Sequence, residues 1–597
     1  MKDATKSEYG IVILLCAIAL CLNIAVWVGK LAQIDPGHTY IPIHNSLSDY
    51  SFYVSVVRQG VDGSITVFNP FATETHEGSV IHFFYLAIGM VARSIGVSDA
   101  HIAYHASRYV LGIIWCIAIY RLITLSIREK WQRILALAFS LFSASFPRVV
   151  EVLGAPVVTG YMTWWSELDP VVRAAFIPHF TMGHIMMVSV FISVLEYVRF
   201  QAPKKIVPER TKWAFSTWWH RESRTGKRWL VRVAVAAWIA AFVHPPSAIQ
   251  ILLIIPLIMV IIRSQRMIQI GFASLVGAGS GLGIINSVSA IFPWNLARAF
   301  EGWSFALSVP EYLLALGPVV FFAIIGMIAI FVSLKFEARS VKLETNSKQT
   351  KGTTYNGIKH ISNFEFRISN FLILLLWIVT SIVMIPLSKL MPFSPFEVIR
   401  THPISNIRFL QVAVWVPLSI LGAVGFSTAL QILPSVLRIL VIAAMVVLTF
   451  VGYPSTVSEQ IAHVYFGRDY QYPDIQYVSA IRELGAITKP GEAIMSLSLA
   501  GMTIPTYVNR SVYVGQVVYT PELDKKLAVS WSFFAGTMSP CEAYMLVKTN
   551  NIKAVFFSAD ERQAGNAVSR YLFLQPWNTF GMTTVYTVVD VPPIECG

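Results

Sequence analysis

Long apolar runs recur along the chain, each near the length of about 20 residues that a helix needs to cross a bilayer. They lie at 11–31, 104–123, 132–148, 178–198, 229–244, 247–263, 268–289, 311–334, 368–387, 409–427 and 436–452. The pattern predicts about eleven membrane helices. The run 80–97, VIHFFYLAIGMVARSIGV, is shorter and carries Arg93 in its second half, which suits an interfacial or re-entrant helix. After residue 452 the pattern changes. A helix is expected over 475–484, ended by Gly485. Strand-like AIMSL (493–497), SVYVG (511–515), KAVFF (553–557) and TTVYTVVDV (583–591) then alternate with the helical stretches PELDKKLAVSWSFF and SPCEAYMLVKTNN. That alternation predicts a small, autonomous α/β layer domain. The expected fold class is therefore mostly α: a polytopic helix bundle over 1–452 and an α/β domain over 453–597.

Composition agrees with the membrane class. The chain is 55% hydrophobic and 13% charged, whereas soluble domains carry roughly 25% charged residues. The net charge of +13 does not point to nucleic acid, because basic residues on membrane proteins mark cytoplasmic loops. The basic links are 121–133 (Arg121, Arg128, Lys130, Arg133), 199–228 and 335–367. They share one side only if 80–97 does not span. The N-terminus is then cytoplasmic, and 11–28 acts as an uncleaved signal anchor. The loops 32–103 and 149–177, the link 388–408 and the tail from 453 are extracytoplasmic, and the stretch 340–362 is a mobile polar loop. The protein is expected in the plasma membrane. Of five cysteines, Cys16, Cys21 and Cys116 lie in apolar runs. Cys541 and Cys596 lie in the tail and can pair if it is outside, though their spacing does not demand it. The tail has no G-x-G-x-x-G or P-loop, and Asn509-Arg510-Ser511 fits a short glycosylation sequon.

Candidate chemistry clusters in the outer loops. In HNSLSDYSFYVSVVRQG (44–60), Leu47, Tyr50, Val54 and Val57 recur at helical spacing, as do Asp49 and Tyr53. This predicts a short helix on the outer surface, in which Asp49 either caps the helix after Ser46 and Ser48 or lines a water-filled rim of the bundle. Arg58 lies two turns further on. Glu74, His76 and Glu77 form either an acid/base or metal cluster or a solvated turn. In WWSELDPVVRAAFIPHF (164–180), Glu167 and Asp169 are spaced to share a divalent cation if both turn to one site, with Arg173 and His179 following. Arg400 and Arg408 are basic residues on the outer side, against the usual charge bias, and either contact lipid headgroups or serve a site.

A first membrane helix followed by an outer loop with an acidic residue, a second acidic loop at Glu167-x-Asp169 and a polar outer domain after about eleven spans resembles the GT-C superfamily of membrane glycosyltransferases. SDYSFYVSVVRQG, with the later NRSVYVGQVVYTPELDKK and FFAG, is similar to uncharacterised bacterial and archaeal proteins of this type. The resemblance implies a polyprenyl-phosphate sugar donor, its tail in the membrane lipid, and an acceptor hydroxyl on a glycan, lipid or protein. It implies Asp49 as general base, with Glu74 and Glu77 next in line. Arg400 and Arg408, then Arg58 and Arg173, would hold the departing phosphate, and Tyr53 and His179 would line the substrate site. A divalent cation, Mg²⁺ or Mn²⁺, would sit on Glu167 and Asp169. The superfamily's usual pair of aspartates flanking one residue is absent after the first span; Asp49 is followed by Tyr50. The cofactor is therefore open.

Two other classes fit a polytopic chain. A secondary transporter would place ionisable residues mid-span and show two matched halves; here the spans are largely free of Asp and Glu and no halves match. A noncatalytic assembly protein would use the tail for binding and leave the outer carboxylates dispensable. Topology is directly testable. A cysteine introduced in the tail should react with an impermeant thiol reagent on intact cells, and one in 199–228 only after lysis; the reverse pattern would put the proposed site on the wrong face.

Overall fold

The structure, a computed structural model, describes residues 6–152, 155–161, 167–200, 224–262, 265–301, 309–348, 354–390, 405–463 and 467–596. It forms two compact units, each discontinuous in sequence. The first comprises Met1–Val26, Tyr109–Ile285 and Trp303–Gln460; the second comprises Trp27–Arg108, Asn286–Gly302 and Ile461–Gly597.

The helices in chain order up to residue 462 are α1 (Lys6–Leu31), α2 (Leu47–Asp62), α3 (Phe83–Ser94), α4 (Ala100–Ser126), α5 (Lys130–Phe142), α6 (Pro178–Phe200), α7 (Arg224–Val243), α8 (Pro245–Ile262), α9 (Gln265–Val288), α10 (Leu296–Glu301), α11 (Val309–Leu316), α12 (Val319–Lys348), α13 (Thr354–Leu390), α14 (Trp415–Ile432), α15 (Ser435–Phe450) and α16 (Tyr453–Ala462). Among the described residues nine helical segments are long and apolar enough to cross a membrane: Lys6–Leu31, Ala100–Ser126, Pro178–Arg199, Pro245–Ile262, Gln265–Val288, Val319–Phe336, Arg367–Leu387, Trp415–Ile432 and Ser435–Ala462. The chain is a multi-pass membrane protein. The other two of the expected eleven fall short for physical reasons. The helix expected at 229–244 is α7, whose first turns carry Arg224, Lys227, Arg228 and Arg232. The helix expected at 132–148 stops after 13 residues, at Phe142. Beyond it β1 (Pro147–Val152) pairs antiparallel with β2 (Ala155–Gly160), so the last two residues of the expected span, Pro147 and Arg148, belong to a hairpin.

The run 311–334 is also interrupted. Gly317, with φ +77, separates α11 from α12, and a Cβ there would lie 1.9 Å from the Ala144 carbonyl oxygen. Only glycine meets both demands. The expected mobile loop at 340–362 is largely helical, since α12 runs to Lys348 and α13 starts at Thr354. In the first unit the core is an apolar cluster drawn from α1, α4–α9, α11–α14 and the loop before α6, with Trp115, Phe191 and Trp377 among its fully buried side chains.

In the second unit the tail adds α17 (Arg468–Gln471), α18 (Ile475–Ile487), α19 (Ser498–Tyr507), α20 (Leu523–Ala535), α21 (Pro540–Thr549) and α22 (Ala559–Ala564). Its strands are β3 (Ala493–Met495), β4 (Ser511–Val512), β5 (Ile552–Phe557), β6 (Leu574–Phe580) and β7 (Thr583–Val588), in sheet order β4-β3-β5-β7-β6. The β4-β3-β5 part is parallel and the β5-β7-β6 part antiparallel. The expected α/β sheet region is present, with an edge strand, β6, that its largely exposed, proline-containing LQPWNTF pattern concealed. Gly485 does not end α18, which continues to Ile487. A disulfide joins Cys541 at the start of α21 to Cys596.

The tail does not build its core alone. Ile481, Leu484, Ile494, Met502 and Ile504 pack in one cluster with Leu47, Phe52, Val54 and Val57 of α2 and Leu86 of α3. Backbone bonds tie the segments further: Thr39 N–H donates to Pro473 O at 2.9 Å, Ile41 N–H to Gln471 O at 2.9 Å and Val512 N–H to Pro70 O at 2.8 Å. Helices α2 and α3 meet at Gly60 and Gly89. A Cβ at Gly60 would lie 2.2 Å from Leu86 O, and one at Gly89 would lie 2.1 Å from Val57 O. Gly60→Ala should therefore destabilise the protein by about 1–3 kcal/mol, although alanine is the better helix former by about 1 kcal/mol. Thermal unfolding of the detergent-solubilised protein would check this; an unchanged or raised midpoint contradicts the close crossing.

Candidate functional site

Two polar groupings contain most of the candidates, one in each unit. In the second unit Asn45, at φ 69, turns the chain into α2, whose N-cap is Ser46. Ser46 makes no side-chain capping bond. Asp49 sits in the first helical turn, where a carboxylate complements the helix dipole. It is half-buried, as is Tyr53 one turn on. The Tyr53 ring stacks on Tyr85 with centroids 4.4 Å apart, and Phe52 stacks on Tyr519 at 4.3 Å. Arg58 belongs elsewhere: nine residues of helix put it roughly 13 Å along the axis from Asp49. There it pairs with Asp62 through Nε at 3.1 Å, and through Nη2, and donates from Nη1 to Ser98 O. Asp49 and Arg58 therefore do not face one small group.

Behind Asp49 lies a polar chain that the outer-loop motifs did not reveal. The Arg108 guanidinium donates to His105 Nδ1 at 3.0 Å, and His105 Nε2 lies 2.8 Å from Pro42 O. Tyr50 Oη is 3.4 Å from His105 Nε2 and 2.7 Å from His101 Nδ1. His44 Nδ1 approaches Tyr104 Oη at 3.4 Å. Burial, with the Arg108, His105 and Lys30 charges, holds His44 well below the usual imidazole range, so it is neutral at physiological pH. Burial likewise pushes Tyr50 well above the usual phenol range. The i, i+4, i+7 spacing of His101, His105 and Arg108 on α4 was the available signal, since it puts all three on one helix face.

In the first unit the loop before α6 carries Glu167, Asp169 and Arg173, all buried. Glu167 Oε1 accepts from Ala413 N–H at 3.1 Å, and Oε2 lies 3.6 Å from His184 Nε2, which is itself 2.9 Å from Gln411 O. Asp169 accepts from Val171 N–H at 2.8 Å and from the Gln460 amide at 3.1 Å. Burial pushes the Glu167 carboxyl up to about 8 and that of Asp169 up to about 7, and draws Arg173 down to about 10. Arg173 is engaged by the carbonyls of Glu167, Leu168 and Ser140 and by Ser143 Oγ, and lies 4.6 Å from the Trp415 ring centroid. Its N–H groups hold this loop in shape rather than facing an open site. His179, at the start of α6, lies against Phe180, with centroids 4.3 Å apart. Arg408 is half-buried on the turn Asn406–Phe409 before α14. Arg400 lies outside the described residues.

The remaining candidates lie in the second unit and do not form a metal cluster. Glu74 pairs with Lys526 Nζ at 2.8 Å. His76 Nε2 accepts from Asn69 N–H at 3.1 Å and its Nδ1 is 2.8 Å from Glu74 O, while Glu77 is exposed. Among the described residues no three of His, Cys, Asp and Glu gather to hold an ion. Three of the four oxygens of Glu167 and Asp169 already accept from protein N–H groups, so as arranged this pair does not fit a shared divalent cation.

Comparison with known proteins bears on the architecture. No protein-family model matches the chain, and no curated protein matches it in sequence. Solved structures do match. The apo oligosaccharyltransferase of Archaeoglobus fulgidus aligns over 98% of this chain and 75% of its own, at 10% identity and a TM-score of 0.51. The chain has a GT-C fold. The same archaeal protein tethered to an acceptor peptide containing the NVT sequon gives 98% and 74% coverage, 11% identity and a TM-score of 0.51. ArnT from Cupriavidus metallidurans bound to undecaprenyl phosphate covers 97% of this chain and 98% of its own at 13% identity, with a TM-score of 0.42. The expected helix bundle and C-terminal α/β sheet are both present, and the two compact units divide the chain differently from 1–452 and 453–597.

The buried carboxyls give the chain a pH signature. Both bind their protons more tightly folded than unfolded. Their contribution to stability is full below the ordinary values of 4.5 and 3.8, and is lost once pH passes about 8 for Glu167 and about 7 for Asp169. Glu167→Gln keeps an acceptor for Ala413 N–H and needs no proton. It should unfold near the wild-type temperature at low pH and above it in alkaline buffer. A variant with the wild-type pH dependence would show that Glu167 is ionised in the folded protein.

Proposed function

We propose that this chain is a membrane glycosyltransferase that moves a sugar from a polyprenyl-phosphate carrier to an acceptor hydroxyl on the outer face of the membrane. The observation that carries the proposal is the GT-C fold over 98% of the chain, with Asp49 in the first turn of the helix that follows the first span. The matched archaeal protein is an oligosaccharyltransferase, which acts on glycan and acceptor peptide alike by name. Asp49 takes the acceptor proton while the hydroxyl oxygen bonds to the anomeric carbon. The bond from that carbon to phosphate oxygen breaks, and the polyprenyl phosphate leaves with the electron pair. A guanidinium suits that phosphate, since it can donate two parallel bonds to it. The acceptor is a glycan, a lipid or a protein.

The disulfide between Cys541 and Cys596 supports an extracytoplasmic tail, because such bonds persist in oxidising compartments. An outer-face site is consistent with a donor whose lipid lies in the membrane and whose sugar lies in water.

Incubating the purified full-length protein with a panel of polyprenyl-phosphate sugars and acceptors should release polyprenyl phosphate. Asp49→Asn keeps the shape of the side chain and removes the base, so the rate should fall about 10²–10⁴-fold. Dependence on Mg²⁺ or Mn²⁺ would appear as loss of activity on chelation and recovery with the added ion. A folded Asp49→Asn protein that transfers sugar at the wild-type rate moves the base elsewhere, with Glu74 and Glu77 next in line. Solute movement across liposomes with no sugar transfer would replace the proposal with transport.

A further inference from the structure

The second unit contains an open cleft of ≈ 550 Å³ with its own chemistry, a size that suits a small hydrophilic ligand. It runs between the C-terminal half of α2, the start of α4, α18 and the end of α19. Its charged lining is Arg58, Asp62, Asp99, Arg482 and Arg510. Both carboxylates are already engaged. Asp62 is held by Arg58. Asp99 Oδ1 accepts from the backbone N–H of His101 at 2.8 Å and of Ile102 at 3.0 Å, capping α4. Arg510 donates to the carbonyls of Gly485, Thr488 and Asn509, which fixes its position without a carboxylate contact.

Arg482 differs from these. It is exposed on α18, lies 5.9 Å from the Tyr507 ring centroid, and has no hydrogen-bond or ion-pair partner among the described residues. The Asn509 side chain, half-buried in the same lining, likewise has no hydrogen-bond partner among them.

A second observation comes from His101, which is 5% exposed, lines the cleft and leaves Nε2 without a partner. The polar chain behind it fixes its tautomer. A guanidinium only donates, so His105 Nδ1 accepts from Arg108 and the His105 proton sits on Nε2, toward Pro42 O. Tyr50 Oη faces that N–H and turns its own proton to His101 Nδ1. His101 therefore carries its proton on Nε2. A buried N–H without a partner is costly, and here the residue that bears it borders an open cleft.

From these groups we infer that the cleft binds a small acidic sugar, its carboxylate or phosphate on Arg482 and a hydroxyl on Asn509. The Arg482 guanidinium makes no contact with a carboxylate among the described residues and suits an anion, and the Asn509 amide suits hydroxyl oxygens. The inference does not depend on the glycosyl-transfer proposal, since no residue assigned to that reaction is used.

Calorimetric titration of the full-length protein in detergent would test it, with glucuronate, glucose 6-phosphate and glucose as probes. At least one acidic sugar should bind, more weakly as salt rises, and glucose should not. Arg482→Ala, a change on an exposed helix face, should weaken that binding about tenfold or more at an unchanged melting temperature. Preference between glucuronate and glucose 6-phosphate identifies the anion. Equal binding of glucose, undiminished binding by Arg482→Ala, or no binding of either acidic sugar would each overturn the inference. Loss of transferase activity plays no part in the readout, so failure here and failure of the proposed reaction remain distinguishable.

Discussion

The second unit depends on the burial of one helix. Of the 16 residues of α2, 11 are buried, so almost every side of it must meet a matching surface. Its apolar positions meet α3 on one side and α19 on another. At Gly60 and Gly89 the backbones themselves are in contact, which removes the slack that side chains would provide. Burial on this scale imposes a second demand, because polar groups on α2 cannot be left for water. Gln59 answers it by accepting from Phe68 N–H at 2.8 Å and donating to Phe68 O at 2.9 Å, as a neighbouring strand would. Tyr50 answers it through two histidines of α4. The half-exposed residues Asp49 and Tyr53 are then held in place because everything around them on the helix is fixed.

The same demand shapes the loop before α6 in the first unit, with a different outcome. There Glu167 and Asp169 are buried among backbone donors, and the Arg173 guanidinium caps carbonyls of its own loop. The low-polarity surroundings favour the neutral carboxyl, so the acidic pair behaves as part of the scaffold rather than as an exposed ligand set. Close carboxylates in sequence are thus a weak guide to metal binding: one intervening residue says nothing of which way each oxygen faces.

The sequence by itself determined the membrane class, most spans, the α/β character of the tail and a short helix at 44–60. These follow from apolar run length, helical periodicity and strand alternation, which are properties of neighbouring residues. It also brought Asp49 into view, because a carboxylate near the bilayer is unusual wherever the chain goes next. Only the tertiary structure decided the rest. It turned the end of one expected span into the hairpin of β1 and β2, broke another at Gly317, and packed α2 with the tail. It also joined Tyr50 to His101, His105 and Arg108. The break at Gly317, the packing of α2 and the Tyr50 chain depend on contacts between segments far apart in the chain. A side chain's partners, its burial and hence its charge are set by those contacts, and no local pattern carries them.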